Sequence, residues 1–449
     1  MTAKRTIIGI LFAGLLAPVA AHAQLGDFVN KLTGGGKPNE LNPTKVIACF
    51  RLEGPLAETP TSIPPLLGGK PPLSLLELLE RLKEARQDKS VTAVVMDVQN
   101  AQLGIGQWEE IHESIRKFEA VDKQVFVHAD RLTTLTYAAA TAASHISVVP
   151  TGDIWLTGLY SETPYLRGML DKIGVVPDVE QCGNFKTGGE FITRKEPSEE
   201  SKKMTKWLLD GLFDSMVERM AKSRKTTPLK LKGLIDNGPY SAEDALKAGL
   251  VDSVRYRQDF IKDLKTRYGQ AIKFVADYGE TDGDEIPQDF FAMMNWMMEM
   301  LNPSPKEYTE PSVAIVYVDG MIQEGAVEPS PFGTPEGAFS TTIRKALDEA
   351  ADDGSVKAVV LRVDSPGGSA LASEIIWNAT QRVAAKKPFV VSMGNVAGSG
   401  GYYVSCGAET IFADHTTITA SIGVLSGKLV TTGGWEIYWR GRCWSPPGP

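Results

Sequence analysis

Cysteine and histidine are scarce in this chain of 449 residues, and their spacing removes two kinds of chemistry. The four cysteines, Cys49, Cys182, Cys406 and Cys443, include no C-x-x-C pair and are too few to hold so long a chain as a disulfide framework. The five histidines include no H-E-x-x-H pair, the commonest zinc-hydrolase signature, so neither a metal nor an organic cofactor is expected. A basic excess is missing too. The formal net charge of -8 leaves nothing to neutralise phosphates, which argues against a nucleic-acid partner. The apolar run from Ile7 to Val19 is short for a spanning helix. It follows Lys4 and Arg5 and precedes Ala21-His22-Ala23, an A-x-A-like cleavage site, so residues 1–23 read as a signal peptide or, if uncleaved, a signal anchor. Export is the expectation.

What is present is a large core and a repeat. With 43% hydrophobic residues the chain can bury several domains' worth of apolar surface. Residues 24–44, rich in Gly, Pro and Asn, read as a tether, and the stretch from Pro60 to Pro72 as a loop. Val46 to Leu52 is a β-rich run, Leu75 to Leu82 has helical spacing, and Val91 to Val98 is the nearly continuous apolar run of a strand covered on both faces. Val91-Thr-Ala-Val-Val-Met-Asp-Val98 returns as Val356-Lys-Ala-Val-Val-Leu-Arg-Val363, an offset of 265 residues. The same offset carries Leu82 onto Leu347, Tyr137 onto Tyr402, Ile146 onto Ile411 and Gly158 onto Gly423. One ungapped offset over so many positions implies two copies of one αβ unit, each a parallel sheet with helices packed on it.

Between the copies, Met204, Trp207, Leu208, Leu212, Phe213, Met216 and Met220 share a helical face, and 240–252 reads as a helix ending at Gly249 and followed by a short strand. Residues 278–311 read as the connection between domains, and their Met- and Trp-rich stripe is expected to pack against the neighbouring domain.

The chemistry centres on Val390 to Ser405, where a short apolar strand runs into small residues around Ser399. Gly398, Gly400 and Gly401 leave its hydroxyl open to a close backbone approach, the usual setting of a nucleophilic serine. A glycine-rich turn that merely packs tightly would look the same. At the 265-residue offset Ser399 falls on Thr134, which has lost the glycines, and Asp364-Ser-Pro-Gly-Gly-Ser369 falls on Gln99-Asn-Ala-Gln-Leu-Gly104, so catalysis belongs to the second copy. A serine hydroxyl needs a base. His415, beside Asp414, is the one histidine of the second copy; a lysine is the other option.

These motifs, with Gly394-Asn-Val-Ala-Gly-Ser-Gly-Gly-Tyr-Tyr403, Thr419-Ala-Ser-Ile-Gly-Val424 and Gly183-Asn-Phe-Lys-Thr-Gly188, resemble the signal peptide peptidase A family in its long, duplicated form. The resemblance runs from about residue 45 to 435. It implies an α/β fold of tandem duplicated ClpP/crotonase-like domains with parallel sheets covered by helices, and a Ser-Lys dyad shared by the two copies. On matching positions Ser399 is then the nucleophile, Lys186 the general base and Ser421 the residue that orients the lysine, with backbone N–H groups near Gly368 and Gly400 as the oxyanion hole. The offset carries Lys186 to position 451, past Pro449, so one copy holds the serine and the other the lysine. The lysine would have to be neutral near pH 7, and the uncharged surroundings from Gly183 to Gly189 suit that.

The expected domains are 45–277 carrying the lysine, a connection at 278–311, 312–436 carrying the serine, and an atypical tail at 437–449 where the resemblance stops and the second domain is expected to be truncated. The implied substrates are cleaved signal peptides in or at the cytoplasmic membrane, handled on its periplasmic side by a homo-oligomer without cofactors. Two other readings stay open: a scaffold that binds or assembles without turnover, and a crotonase-type acyl-CoA enzyme.

Overall fold

The computed structural model describes residues 45–60, 72–280, 310–327 and 335–438, with isolated positions between 289 and 298. The expected signal segment, the tether, most of the Pro60–Pro72 loop, most of the connection and the tail after 438 lie outside the described residues. The repeat is visible as architecture. In the first copy β1 (Val46–Pro55), β2 (Val91–Gln102), β3 (Gln124–Thr133) and β4 (His145–Trp155) pair in parallel in the order β4-β3-β2-β1. The chain then leaves this sheet through β5 (Val176–Gln181). In the second copy β6 (Ser312–Asp319), β7 (Val356–Ser365) and β8 (Phe389–Gly398) pair in parallel as β8-β7-β6. The starts of β2 and β7, and of β3 and β8, stand at the same 265-residue offset.

Each sheet carries helices for reasons visible in the sequence. Helix Leu75–Gln87 buries Leu75, Leu78, Leu82 and Ala85, one face at 3- and 4-residue spacing, and Ser74 caps it by accepting from the Glu77 N–H. Helix Ala370–Ala384 is capped in the same way by Ser369, the last residue of the Asp-Ser-Pro-Gly-Gly-Ser motif. β2 is buried on both faces because helix Arg257–Tyr268 lays Phe260 and Leu264 on Ile47, Ala93, Val95 and Phe126, opposite the main core. Helix Ala242–Ala248 ends at Gly249 in the left-handed conformation (φ 73°) and is followed by the short strand Ser253–Val254, as its sequence reads.

The apolar stripes pack less completely than their periodicity suggests. Helix Glu199–Ser223 buries Leu212, Met216, Val217 and Met220, whereas Trp207 near its start is 78% exposed. The Met-rich stripe of the connection lies mostly outside the described residues, and of those described Phe291, Met294 and Met298 are exposed. Among the described residues no helix is long and apolar enough to cross a membrane.

The two copies meet in a way that positions the site. β5 of the first pairs antiparallel with β9 (Leu425–Val430) of the second, from Leu425 opposite Gln181 to Val430 opposite Val176. A second junction is polar: Arg362 on β7 reaches Glu58 at 2.5 Å and Glu110 at 2.6 Å, both in the first copy.

Candidate active site

Ser399 stands between β8 and helix Gly400–Ser405 with φ 52° and ψ -114°. A non-glycine residue there is strained by on the order of 1–3 kcal/mol, so its surroundings must over-determine it. They do. The Ser399 N–H donates to the Ala420 carbonyl at 2.9 Å, and its own carbonyl accepts from the Tyr403 N–H at 2.9 Å. A Cβ on Gly401 would stand 2.6 Å from the Ser365 carbonyl, and one on Gly400 2.5 Å from Ser373 Oγ, so only glycine lets this turn seat against the Asp364–Ser369 loop.

That loop bends at Gly367 (φ 100°) and Gly368 (φ 154°). A Cβ on Gly367 would fall 2.5 Å from the Gly400 nitrogen and 2.8 Å from Ser399 Cβ. The Gly368 nitrogen lies 3.2 Å from where a Gly400 Cβ would stand. The structure thus packs Gly367 and Gly368 against Gly400, the residue after the serine, so that both glycines named for the oxyanion hole lie at this turn.

Lys186 arrives from the other copy. β5 is held on β9, the Cys182 N–H donates to the Val424 carbonyl at 2.9 Å, and Gly183 (φ 94°) turns the chain so that the lysine points at the serine. Gly423 (φ 129°) leaves the necessary space, since a Cβ there would stand 2.5 Å from the Cys182 carbonyl and 3.5 Å from Lys186 Cβ. Lys186 Nζ lies 2.9 Å from Ser399 Oγ, 2.5 Å from the Ser421 carbonyl and 3.1 Å from Ser421 Oγ. The residue is 7% exposed, and loss of solvent holds its amine below the ordinary lysine pKa. Among the described residues no carboxylate counters that effect. Ser421 and Ala420 both adopt positive φ (49° and 68°), which turns the Ser421 hydroxyl and carbonyl toward the same amine.

His415, the other candidate base, is elsewhere. Its Nδ1 lies 3.0 Å from Glu109 Oε1 and 2.8 Å from Arg219 Nη2, in the junction between the copies. Asp414 beside it is held up at about 7, chiefly by burial and then by Glu110 and Glu109. Thr134, at the position equivalent to Ser399, donates its hydroxyl to the Trp155 carbonyl at 3.1 Å. Among the described residues no group of His, Cys, Asp and Glu could hold a metal ion.

Asn395 was inside a quoted motif, yet its task was not legible there. Its Oδ1 accepts from the N–H groups of Gly106 (2.9 Å) and Gln107 (3.3 Å) at the start of helix Gln107–Arg116, and its Nδ2 donates to Asp364 at 2.6 Å. It therefore ties the first copy to both loops that build the site. The one available signal was the pair Gly104 and Gly106, where a Cβ would fall 2.0 Å from Asn395 Oδ1 and 2.9 Å from the Gly394 carbonyl.

Comparison with known proteins bears on the family of the chain. The model of Peptidase family S49 matches residues 117–271 and 381–433, one stretch in each copy. "Protease 4" of Haemophilus influenzae is 30% identical over 443 residues, covering 94% of this chain and 67% of that protein. The chain belongs to peptidase family S49. Two further relatives are "Serine protease SPPA, chloroplastic" of Arabidopsis thaliana and "Protease 4" of Salmonella typhi. The first is 28% identical over 362 residues (80% of this chain, 51% of that protein), and the second 29% over 362 residues (78% and 55%). The chain spans between about half and two thirds of the length of these family members.

Proposed function

We propose that the protein is a serine endopeptidase with Ser399 as nucleophile and Lys186 as general base. The observation that carries this is a buried lysine amine, with no carboxylate partner among the described residues, 2.9 Å from the hydroxyl of a strained serine. Neutral Lys186 takes the hydroxyl proton as Ser399 Oγ bonds to the peptide carbonyl carbon and the carbonyl π pair moves onto oxygen. The N–H groups of Gly368 and Gly400 meet that oxyanion, where one such donor contributes on the order of 10²–10³ in rate. The lysinium then protonates the leaving amine as the C–N bond breaks, and water releases the acyl group.

The substrate class rests on the family resemblance and on the rim. Phe185, beside Lys186 in sequence, and Ile422 and Val424, which flank Gly423 just after Ser421, are 51%, 70% and 54% exposed, an apolar border suited to extended apolar peptides such as cleaved signal peptides. We place the work at the periplasmic side of the cytoplasmic membrane, in a homo-oligomer anchored by or released from the N-terminal segment. Labelling with a serine-reactive phosphonate, mapped by mass spectrometry, tests the dyad. Label is expected on Ser399, absent from Ser399→Ala and lost from Lys186→Met, which keeps the aliphatic stem. A folded chain that takes no label overturns the reading and favours a scaffold that binds without turnover.

A further inference from the structure

Behind the first sheet, away from the Ser399 chemistry, lies a cavity of about 160 Å³ between β1–β3 and helix Arg257–Tyr268. Its walls are mainly apolar, with Val95, Phe260, Ile261 and Phe274 among them. A cavity of about this size holds a molecule of six or so carbon atoms. Strand register sets the polar groups beside it. Arg51 on β1 is level with Asp97 on β2, which is level with His128 on β3, and all three line the cavity.

The polar groups are unevenly matched. Asp97 is engaged on both oxygens by Arg257 and also accepts from Gln99. Arg51, side by side with it, has no carboxylate or hydrogen-bond partner among the described residues, and its Nε is fully buried. His128 is 1% exposed, stacks on Phe260 with ring centroids 4.7 Å apart, and has Nδ1 3.3 Å from Ser147 Oγ, while its Nε2 is buried with no hydrogen-bond partner among the described residues. Burial, and next the Arg257 charge, hold this imidazole down at about 4, so it is neutral. In the tautomer whose Nδ1 accepts from the Ser147 hydroxyl, Nε2 carries the hydrogen and is a donor, and it is this tautomer that a carboxylate would select. Buried donors left unmatched are costly, and ligand sites combine an apolar body with a few such groups. Asp97 and Arg257 cancel, leaving Arg51 and Lys265 against Asp277 around the cavity, a surplus of one positive charge.

We infer that this cavity is a binding site for a small apolar carboxylate, its chain lying against Val95, Phe260 and Phe274 and its head group accepting from Arg51 and His128. Hexanoate is a suitable probe: its tail matches the volume and its head the donors. In calorimetric titration of the whole chain, hexanoate should bind saturably and at least about tenfold more tightly than hexylamine or 1-hexanol, because a charge-assisted bond to guanidinium is available only to the acid. Arg51→Met should weaken it by about tenfold or more with the apolar walls intact. Ile261→Trp, which fills the cavity from the half-buried helix face, should abolish binding while phosphonate labelling of Ser399 stays unchanged. A folded protein that takes up no hexanoate at about 10 mM, enough to saturate a site with a Kd near 1 mM, overturns the inference. So does equal binding of the amine and the acid, or undiminished binding by Arg51→Met.

Discussion

Ser421→Ala should do something that a loosened site would not: slow Ser399 and move its pH dependence toward acid. A neutral amine has two hydrogens and one lone pair, and Lys186 has three partners, at 2.9, 2.5 and 3.1 Å. When the lone pair accepts from Ser399, the two N–H groups are taken up by the Ser421 carbonyl and hydroxyl. Removing the hydroxyl strands one hydrogen in a buried place. A bond to a charged donor contributes about 1.5–3 kcal/mol and one to a neutral donor about 0.5–1.5, so lysinium loses about 1–1.5 kcal/mol more than free amine. The Lys186 pKa, already lowered by burial, should fall further by about one unit. The labelling rate rises with pH as the amine loses its proton, so its midpoint moves to lower pH. Because lysinium forms in the transition state, the alkaline plateau should drop by that same difference, about 5- to 13-fold. On the acid limb, where the resting amine is already lysinium, the extra free amine returns the same factor and the loss should nearly vanish. The assay is the second-order rate of phosphonate labelling across pH, beside a peptide KM that should barely change. A midpoint that moves upward, or one uniform loss at every pH, would refute the hydrogen-bond accounting.

Two further predictions concern how the copies are held together. Asn395→Ala strands two N–H groups at a helix start and one oxygen of Asp364, which should weaken docking of the copies by about 2–4 kcal/mol. Labelling of Ser399 should fall while far-ultraviolet circular dichroism keeps both sheets; full labelling would show that Asn395 does not position the site. The second is a pH effect. Asp414 has a folded pKa near 7, above its unfolded value, because burial and the Glu110 and Glu109 charges oppose ionisation. A carboxyl with a raised folded pKa favours the folded state below its unfolded pKa, and that contribution is lost as pH rises through about 7. Asp414→Asn should therefore raise Tm clearly at pH 8 and by less than half as much at pH 5, and an equal effect at both pH values would contradict the assignment.

The parts legible in the sequence were those governed by local pattern. Continuous apolar runs marked β2 and β7, the common offset exposed the duplication, and glycines crowded around Ser399 marked a turn with close approaches on several sides. Distance hid the rest. Lys186 lies 213 residues from Ser399, and what joins them is the pairing of β5 with β9. β9, Leu-Ser-Gly-Lys-Leu-Val, has every residue exposed, so it carries no burial pattern from which a partner could be read. Helix Glu199–Ser223 shows the converse limit: its stripe predicts which face can be buried, yet Trp207 stays exposed because periodicity does not say how far the covering partner extends.

The duplication explains why a shared site is physically reasonable. Thr134 and Ser399 follow equivalent strands, but in the first copy the residue opens its helix within ordinary backbone geometry and donates to the carbonyl of Trp155. In the second copy the carbonyl at the equivalent position, Ala420, accepts instead from the serine N–H, which leaves the Ser399 hydroxyl free to meet another group. Glycines at 367, 400 and 401 permit that exchange, because each approaches a neighbour too closely for a Cβ. The strained serine and the desolvated lysine impose opposite demands, the one a tightly fixed turn and the other an uncharged cover. With each on a separate copy, the two demands are met by different sheets, and the β5–β9 pair and Asn395 bring them into register. The alignment of Lys186 with Ser399 is therefore a property of the junction, and substitutions there should change the reactivity of Ser399 without touching either side chain.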